Sequence, residues 1–127
     1  MIAVDTSALM TILLHESRVS DCIAILSTSS HSVISAGTLA EVRVVAGLRG
    51  LTPELNTMLD RMRFEVVPVT SETSERIGRI YGQWGKGIHP AGLNFGDCFA
   101  YDVAKQNNCP LLFIGDDFTR TDIESAI

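Results

Sequence analysis

The sequence predicts an α/β domain with a parallel central sheet flanked by helices on both faces. Three observations lead there. Short, wholly apolar runs such as Ile2–Val4 and Leu111–Ile114 read as buried parallel strands. Segments with helical spacing of apolar residues separate them, and strand–helix alternation implies parallel pairing with both faces covered. Acidic residues follow the apolar runs, Asp5 after the first and Asp116-Asp117 after the last. Ligands bind at such strand ends in open α/β sheets. The strand order is left open by this pattern.

Each element has a local reason. Ile2–Val4 is the first strand, and Thr6-Ser7 can cap a helix over Ala8–Leu14. Ser17–Leu26 places Val19, Cys22, Ile23 and Leu26 at helical spacing. Ser32–Ser35 is the second strand. Thr38–Leu48 is a helix ended by Gly50. Thr52 caps the next helix, with Pro53 at its first helical position. Phe64–Val69 is the third strand, and Thr70 or Ser71 opens a helix running to about Trp84. Three glycines and a proline make Gly85–Asn94 a loop. A helix over Gly96–Asn107 follows, and Pro110 leads into the strand Leu111–Ile114. The tail Phe118–Ile127 has no clear pattern.

A chain of 127 residues is expected to form one domain with a core that needs no staples. No apolar run approaches the roughly 18 residues of a membrane span. The first residues lack the charged start and cleavage site of a secretion signal. Cys22, Cys98 and Cys109 are odd in number and fit neither a zinc spacing nor a disulfide framework, so reduced thiols in the cytoplasm are expected. A net charge of −5 argues against a general nucleic-acid coat. It leaves room for a metal nuclease, where the ion supplies positive charge and a few arginines hold phosphate.

Asp5, Glu41, Asp97 and the Asp116-Asp117 pair are the candidate site. Asp5 can also be read as a helix cap. Glu41 shares its helical face with Thr38, Val44, Val45 and Leu48, and a charge on an apolar face needs a partner or a metal. Leu39 and Ala46 make the opposite face apolar too, and Arg43 lies on the wrong side to pair with Glu41. Asp97 falls in a first helical turn, where the dipole favours a carboxylate. Its face continues into Ala100, Tyr101 and Ala104, as if packed on the sheet. Asp116 and Asp117 can be turn residues, but adjacent carboxylates repel and a cation relieves them. Asp122 is a weaker candidate, and Asp102 reads as a solvated surface charge. Several carboxylates without Cys or His partners suit a hard divalent cation such as Mg²⁺, and hence phosphoryl-transfer or phosphodiester chemistry. Arg43, Arg49, Arg79, Lys86, His89 and Arg120 are candidate phosphate contacts. No nucleophile elbow, Walker A loop or GxGxxG is present.

Asp5-Thr6-Ser7-Ala8 with Glu41 after the second strand resembles the PIN-domain ribonucleases, above all the VapC toxins of bacterial toxin–antitoxin pairs. The stretch Gly85–Tyr101, with LNFGDCFAY at its end, resembles that group's loop and acidic helix. Pro110–Phe113 followed by Gly115-Asp116-Asp117-Phe118 resembles its last acidic motif. The resemblance covers essentially the whole chain. DTSA alone is weak, whereas LNFGDCFAY is specific.

This resemblance implies a single PIN-like domain and a Mg²⁺-dependent ribonuclease, with Mn²⁺ able to substitute. It places the metal and catalytic carboxylates at Asp5, Glu41, Asp97 and Asp117, with Asp116 as a fifth ligand and Ser7 beside the metal. It implies an RNA substrate, transfer RNA among the candidates, a homodimer, and a VapB-like antitoxin. Ile114 and Ile88 depart from it, standing where relatives often carry lysine and arginine. Three rivals remain. A haloacid-dehalogenase-like phosphatase needs an Asp where Ser7 stands. A response-regulator-like receiver needs an acidic pair by the first strand and a lysine after the last. The third is a non-catalytic PIN-like binding module.

Overall fold

The computed structural model describes all residues from 1 to 127. In chain order the elements are β1 (Ile2–Val4), α1 (Thr6–Leu13), α2 (Val19–Thr28), β2 (Ser32–Ser35), α3 (Ala36–Leu48), α4 (Thr52–Met62), β3 (Glu65–Val67), α5 (Ser71–Trp84), α6 (Phe95–Gln106) and β4 (Leu111–Leu112). The four strands form one parallel sheet in the order β3-β2-β1-β4. The expected parallel α/β architecture is therefore what the chain adopts.

Alternation along the short strands divides the core. Ala3, Val33 and Leu111 point to one face, where they meet Ile77 and Ile80 of α5 and Ala100, Val103 and Ala104 of α6. Ile2, Val4, Ile34 and Leu112 point to the other, against Leu9 of α1, Cys22 of α2, Val42 and Ala46 of α3, and Leu55 and Met58 of α4. This period of two is what a doubly covered sheet requires.

Most boundaries move by one or two residues for identifiable reasons. The cap of α1 is Asp5 rather than Thr6 or Ser7. Ser35 caps α3, which starts two residues before the expected Thr38 because Ser35 Oγ accepts from Gly37 N. The helix α2 runs from Val19 to Thr28 without a side-chain cap, and α4 begins at Thr52 with Pro53 in its first turn. The strand β3 stops at Val67, before Pro68, which has no N–H to donate. A capping box joins Thr70 and Thr73 at the start of α5. The tail makes one bridge, Ser125 beside Leu111, and no helix or strand of its own. All three cysteines are free.

One surface reading needs correction. Asp102 is not solvated: it is buried and holds a two-pronged ion pair with Arg76 of α5, at 2.6 Å from Nε and 3.1 Å from Nη2. Its helical angle turns it away from Asp97 and toward α5, so an acid off the site's face meets another helix instead of water. The same contact holds Arg76 charged, pushing its pKa up.

Candidate functional site

The sheet order sets the position of the site. The chain leaves β1 for β2 on one side and later returns to β4 on the other, so β1 and β4 flank a switch point where helices depart in different directions. Asp5 follows β1, Glu41 lies in the second turn of α3 after β2, and Asp117 lies just beyond β4. The first turn of α6 brings Asp97 to the same edge. The carboxyl ends of three adjacent strands thus supply an acid each, and α6 supplies the fourth.

Electrostatics tie the four together. Burial pushes the Asp97 carboxyl from 3.8 up to about 7; the Asn94 N–H opposes this, and charges on Asp5, Asp117 and Glu41 add to it. Asp5 is also pushed up, first by burial and then by Glu41, against hydrogen bonds from Ser7. Asp117, not Asp116, is the member of the pair whose charge is felt at Asp97. The backbone carbonyl of Asp116 instead accepts from the N–H and the hydroxyl of Thr119, forming a turn.

Each inner acid is held by one oxygen. Asp5 Oδ2 accepts from Ser7 N at 3.1 Å and from Ser7 Oγ at 2.7 Å, capping α1. The other oxygen, Oδ1, is buried and has no hydrogen-bond partner. Asp97 Oδ2 accepts from Asn94 N at 3.0 Å, while Asp97 N donates to Asn94 Oδ1 at 2.8 Å, a reciprocal capping box. Glu41 Oε1 accepts from Thr6 Oγ1 at 2.6 Å. Ser7 Oγ also accepts from Ile114 N at 3.0 Å, stitching the start of α1 to the exit of β4. The oxygens do not converge into a finished cage, since no three Asp, Glu, His or Cys side chains form a closed ion site. What the arrangement offers is four carboxylates within electrostatic reach of one another, one of them with an orphaned, buried oxygen.

The remaining candidates are dispersed. Arg43 is on the other side of α3 from Glu41, with its guanidinium held by Asn56 Oδ1 at 3.0 Å. His89 Nδ1 accepts from Ala91 N, and its ring packs edge-on to Trp84 at 4.7 Å between centroids. Lys86 and Arg120 are exposed, one on the loop before α6 and the other three residues past Asp117. Arg49 and Arg79 are exposed as well. Asp122 is taken by Tyr101 Oη at 2.7 Å and Lys105 Nζ at 2.8 Å, outside the acid cluster.

The reason given for Glu41 needs revision. Val44 and Leu48, expected on its buried face, are 62% and 85% exposed. Val42, Ala46 and Thr38 are the buried stripe of α3, and Glu41 lies at its margin. The partner it needs is Thr6, which sequence reasoning passed over as a cap. Asn94 was likewise missed, although Asn-x-x-Asp before an apolar helix is a capping-box signal. Gly96 was missed too: a Cβ there would overlap the Glu41 carboxylate.

A parallel α/β domain with four carboxylates gathered at its strand ends is the class that fold and site define. The model of the PIN domain family matches residues 2–124. Ribonuclease VapC36 of Mycobacterium tuberculosis is 39% identical over 126 residues, covering 95% of this chain and 90% of that protein. The chain belongs to the PIN-domain family, among its VapC ribonuclease relatives. Solved structures share the fold at low identity. The sarcin-ricin loop cleaving toxin VapC20 of M. tuberculosis aligns with a TM-score of 0.79 at 15% identity, over 97% of this chain and 96% of that one. A toxin–antitoxin complex from Klebsiella pneumoniae gives 0.73 at 17% identity, over 96% and 93%.

Proposed function

We propose that this chain is a divalent-metal-dependent ribonuclease, the toxin of a toxin–antitoxin pair. The observation that supports this most directly is the unpartnered, buried Oδ1 of Asp5 inside a group of four mutually repelling carboxylates. Such an atom costs free energy unless a hydrogen-bond donor, a proton or a cation meets it. Hard oxygen donors with no thiolate or imidazole suit Mg²⁺, with Mn²⁺ as a substitute. Asp5 and Asp97 would hold the ion directly, Glu41 and Asp117 directly or through its waters, with Asp116 a further candidate. Bound there, the cation supplies positive charge to a phosphoryl oxygen and acidity to a water.

The protein's own groups do the positioning. Ser7 and Asn94 fix one oxygen each of Asp5 and Asp97 and leave the other without a hydrogen bond. Thr6 fixes Glu41. Asp117 is exposed and stands at the mouth of the cluster. Lys86 and Arg120 are free cations on the segments that lead to Asp97 and away from Asp117, suited to phosphate contacts along an RNA strand. Arg43 and His89 are weaker for this role because their polar groups are already engaged.

The VapC names of the relatives and the toxin–antitoxin complex among the structural neighbours support a VapB-like antitoxin as partner. An antitoxin arginine could pair with the acidic cluster. Exposed Val44 and Leu48 on α3 offer surface for a homodimer. The free thiols suit a reducing, cytoplasmic compartment, and no helix is long and apolar enough to cross a membrane. The test is incubation of a mixed cellular RNA pool, transfer RNA included, with Mg²⁺ or EDTA, beside Asp97→Asn purified identically. Discrete, metal-dependent fragments lost in the variant are expected. Equal cutting by both proteins, or none by either, would sink the proposal.

A further inference from the structure

The helices α3 and α6 meet beside the acid cluster, and each presents a glycine to the other's side chain. At Gly37 of α3 a Cβ would overlap the Phe99 ring of α6, standing 2.8 Å from its Cε1. At Gly96 of α6 a Cβ would overlap the carboxylate of Glu41 on α3, standing 2.7 Å from its Cδ. The spacings, 37 to 41 and 96 to 99, put each pair on one face of its helix.

Neither glycine has a left-handed φ, so the backbone does not require one at either place. Glycine is also a poor helix former, because it exposes backbone and loses the most conformational freedom on folding. Space is the remaining reason. Gly78 and Gly82 of α5 make the contrast, since a Cβ at either would meet nothing.

The other side of the Glu41 carboxylate is fixed by Thr6, whose Oγ1 donates to Oε1 at 2.6 Å. Thr6 directly follows Asp5 at the start of α1. One dipeptide therefore supplies an acid to the cluster and holds a second one contributed by another helix.

We infer that Thr6 and Gly96 are positioning residues for Glu41: the hydroxyl at 6 and the missing side chain at 96 together set where that carboxylate stands. The consequence for catalysis rests on the ribonuclease reading, whereas the positioning rests on the seam alone.

The test is a cycle of four proteins: the full chain, Gly96→Ala, Glu41→Ala and the double variant. Thr6→Val, Thr6→Ser and Gly78→Ala are added. Melting in EDTA is read first, then Mn²⁺ binding by titration calorimetry, then KM and kcat on RNA. Gly96→Ala alone is expected to lower Tm and weaken Mn²⁺ about tenfold. In the Glu41→Ala background the same substitution is expected to raise Tm, as Gly78→Ala does in the wild type. Thr6→Val should weaken Mn²⁺ and lower kcat more than it raises KM, and Thr6→Ser should restore both. A Gly96→Ala effect of the same sign and size in both backgrounds overturns the inference, as does Thr6→Val with wild-type Mn²⁺ affinity. If the wild type binds no Mn²⁺ and cuts no RNA, the functional reading fails. The difference in the Gly96→Ala effect on Tm between the two backgrounds, read in EDTA, then decides the positioning by itself.

Discussion

Replacing Asp97 with Asn should stabilise the metal-free protein at pH 8 and change it little at pH 4. In the folded chain the carboxyl is pushed up to about 7, chiefly by burial and then by its acidic neighbours. In the unfolded chain it titrates near 3.9. Between these values the folded state binds more protons than the unfolded, so stability falls as pH rises from about 4 to about 7. Above pH 7 the penalty is complete. At about 1.4 kcal/mol for each tenfold change, the full difference is about 4 kcal/mol. Water at the cluster's mouth screens the charges, so about 2 kcal/mol is a better expectation. For a domain of this size that is a Tm increase of about 6–10 °C. Asparagine keeps an oxygen for the Asn94 N–H and carries no charge. The assay is thermal unfolding of both proteins in EDTA across pH 4–8, read as a difference so that other titrating groups cancel. A variant less stable than wild type at pH 8, or a difference that does not grow with pH, would refute the reasoning. With Mg²⁺ at about a hundred times its Kd the order should close or reverse, because the ion adds about 2.7 kcal/mol to the protein that binds it.

Further outcomes follow from other contacts. Asp5→Asn should keep the cap on α1 and, because burial also pushes the Asp5 carboxyl up, leave the metal-free protein at least as stable as wild type at pH 8, while abolishing metal-dependent cleavage; Asp5→Ala should be about 1 kcal/mol less stable than Asp5→Asn, read by denaturant titration. Asp117→Ala should abolish cleavage and Asp116→Ala should leave most of it, because only Asp117 acts on Asp97; equal loss in both would refute that assignment. Asp102→Ala should destabilise by about 3 kcal/mol in urea unfolding by leaving Arg76 without its partner, with the remaining folded protein still active. Leu48→Glu should shift a dimer to monomer in gel filtration, and a wild-type chain that elutes only as monomer at micromolar concentration would contradict the dimer.

Much of the fold was legible because the strands are short and carry apolar residues, wholly so in β1 and β4 and at Val33-Ile34 of β2. Ile2–Val4 and Ser32–Ser35 were read with their observed bounds. Helix starts were harder. Thr6, Thr38 and Thr52 were each read as preceding or opening a helix from their residue type, yet the caps are Asp5, Ser35 and Leu51. Adjacent Ser, Thr and Asp compete for one cap: Asp5 and Ser35 have the extended backbone a cap needs, whereas Leu51 does not and makes no side-chain cap bond. Asp102 shows a second limit. Its helical angle turns it away from Asp97, but an angle says nothing about what faces it, and here Arg76 from α5 does. The partner is 26 positions away, beyond the reach of any local pattern.

Cap and site were weighed as rival readings of Asp5 and Asp97, and the structure makes them compatible. A carboxylate has two oxygens, and a helix N-terminus needs only one acceptor for a given orphan N–H. Asp5 uses Oδ2 for Ser7 and keeps Oδ1 clear. Asp97 uses Oδ2 for Asn94. Capping restricts the side chain to a few rotamers and leaves its second oxygen free of the helix. In a parallel sheet, helix N-termini gather at the carboxyl ends of the strands. Acids used as caps at β1 and at the start of α6 are therefore brought toward one another by topology, and each is fixed in direction before any ligand arrives. The mutual repulsion that results is the cost of that preorganisation, and on the proposed reading a bound cation offsets it.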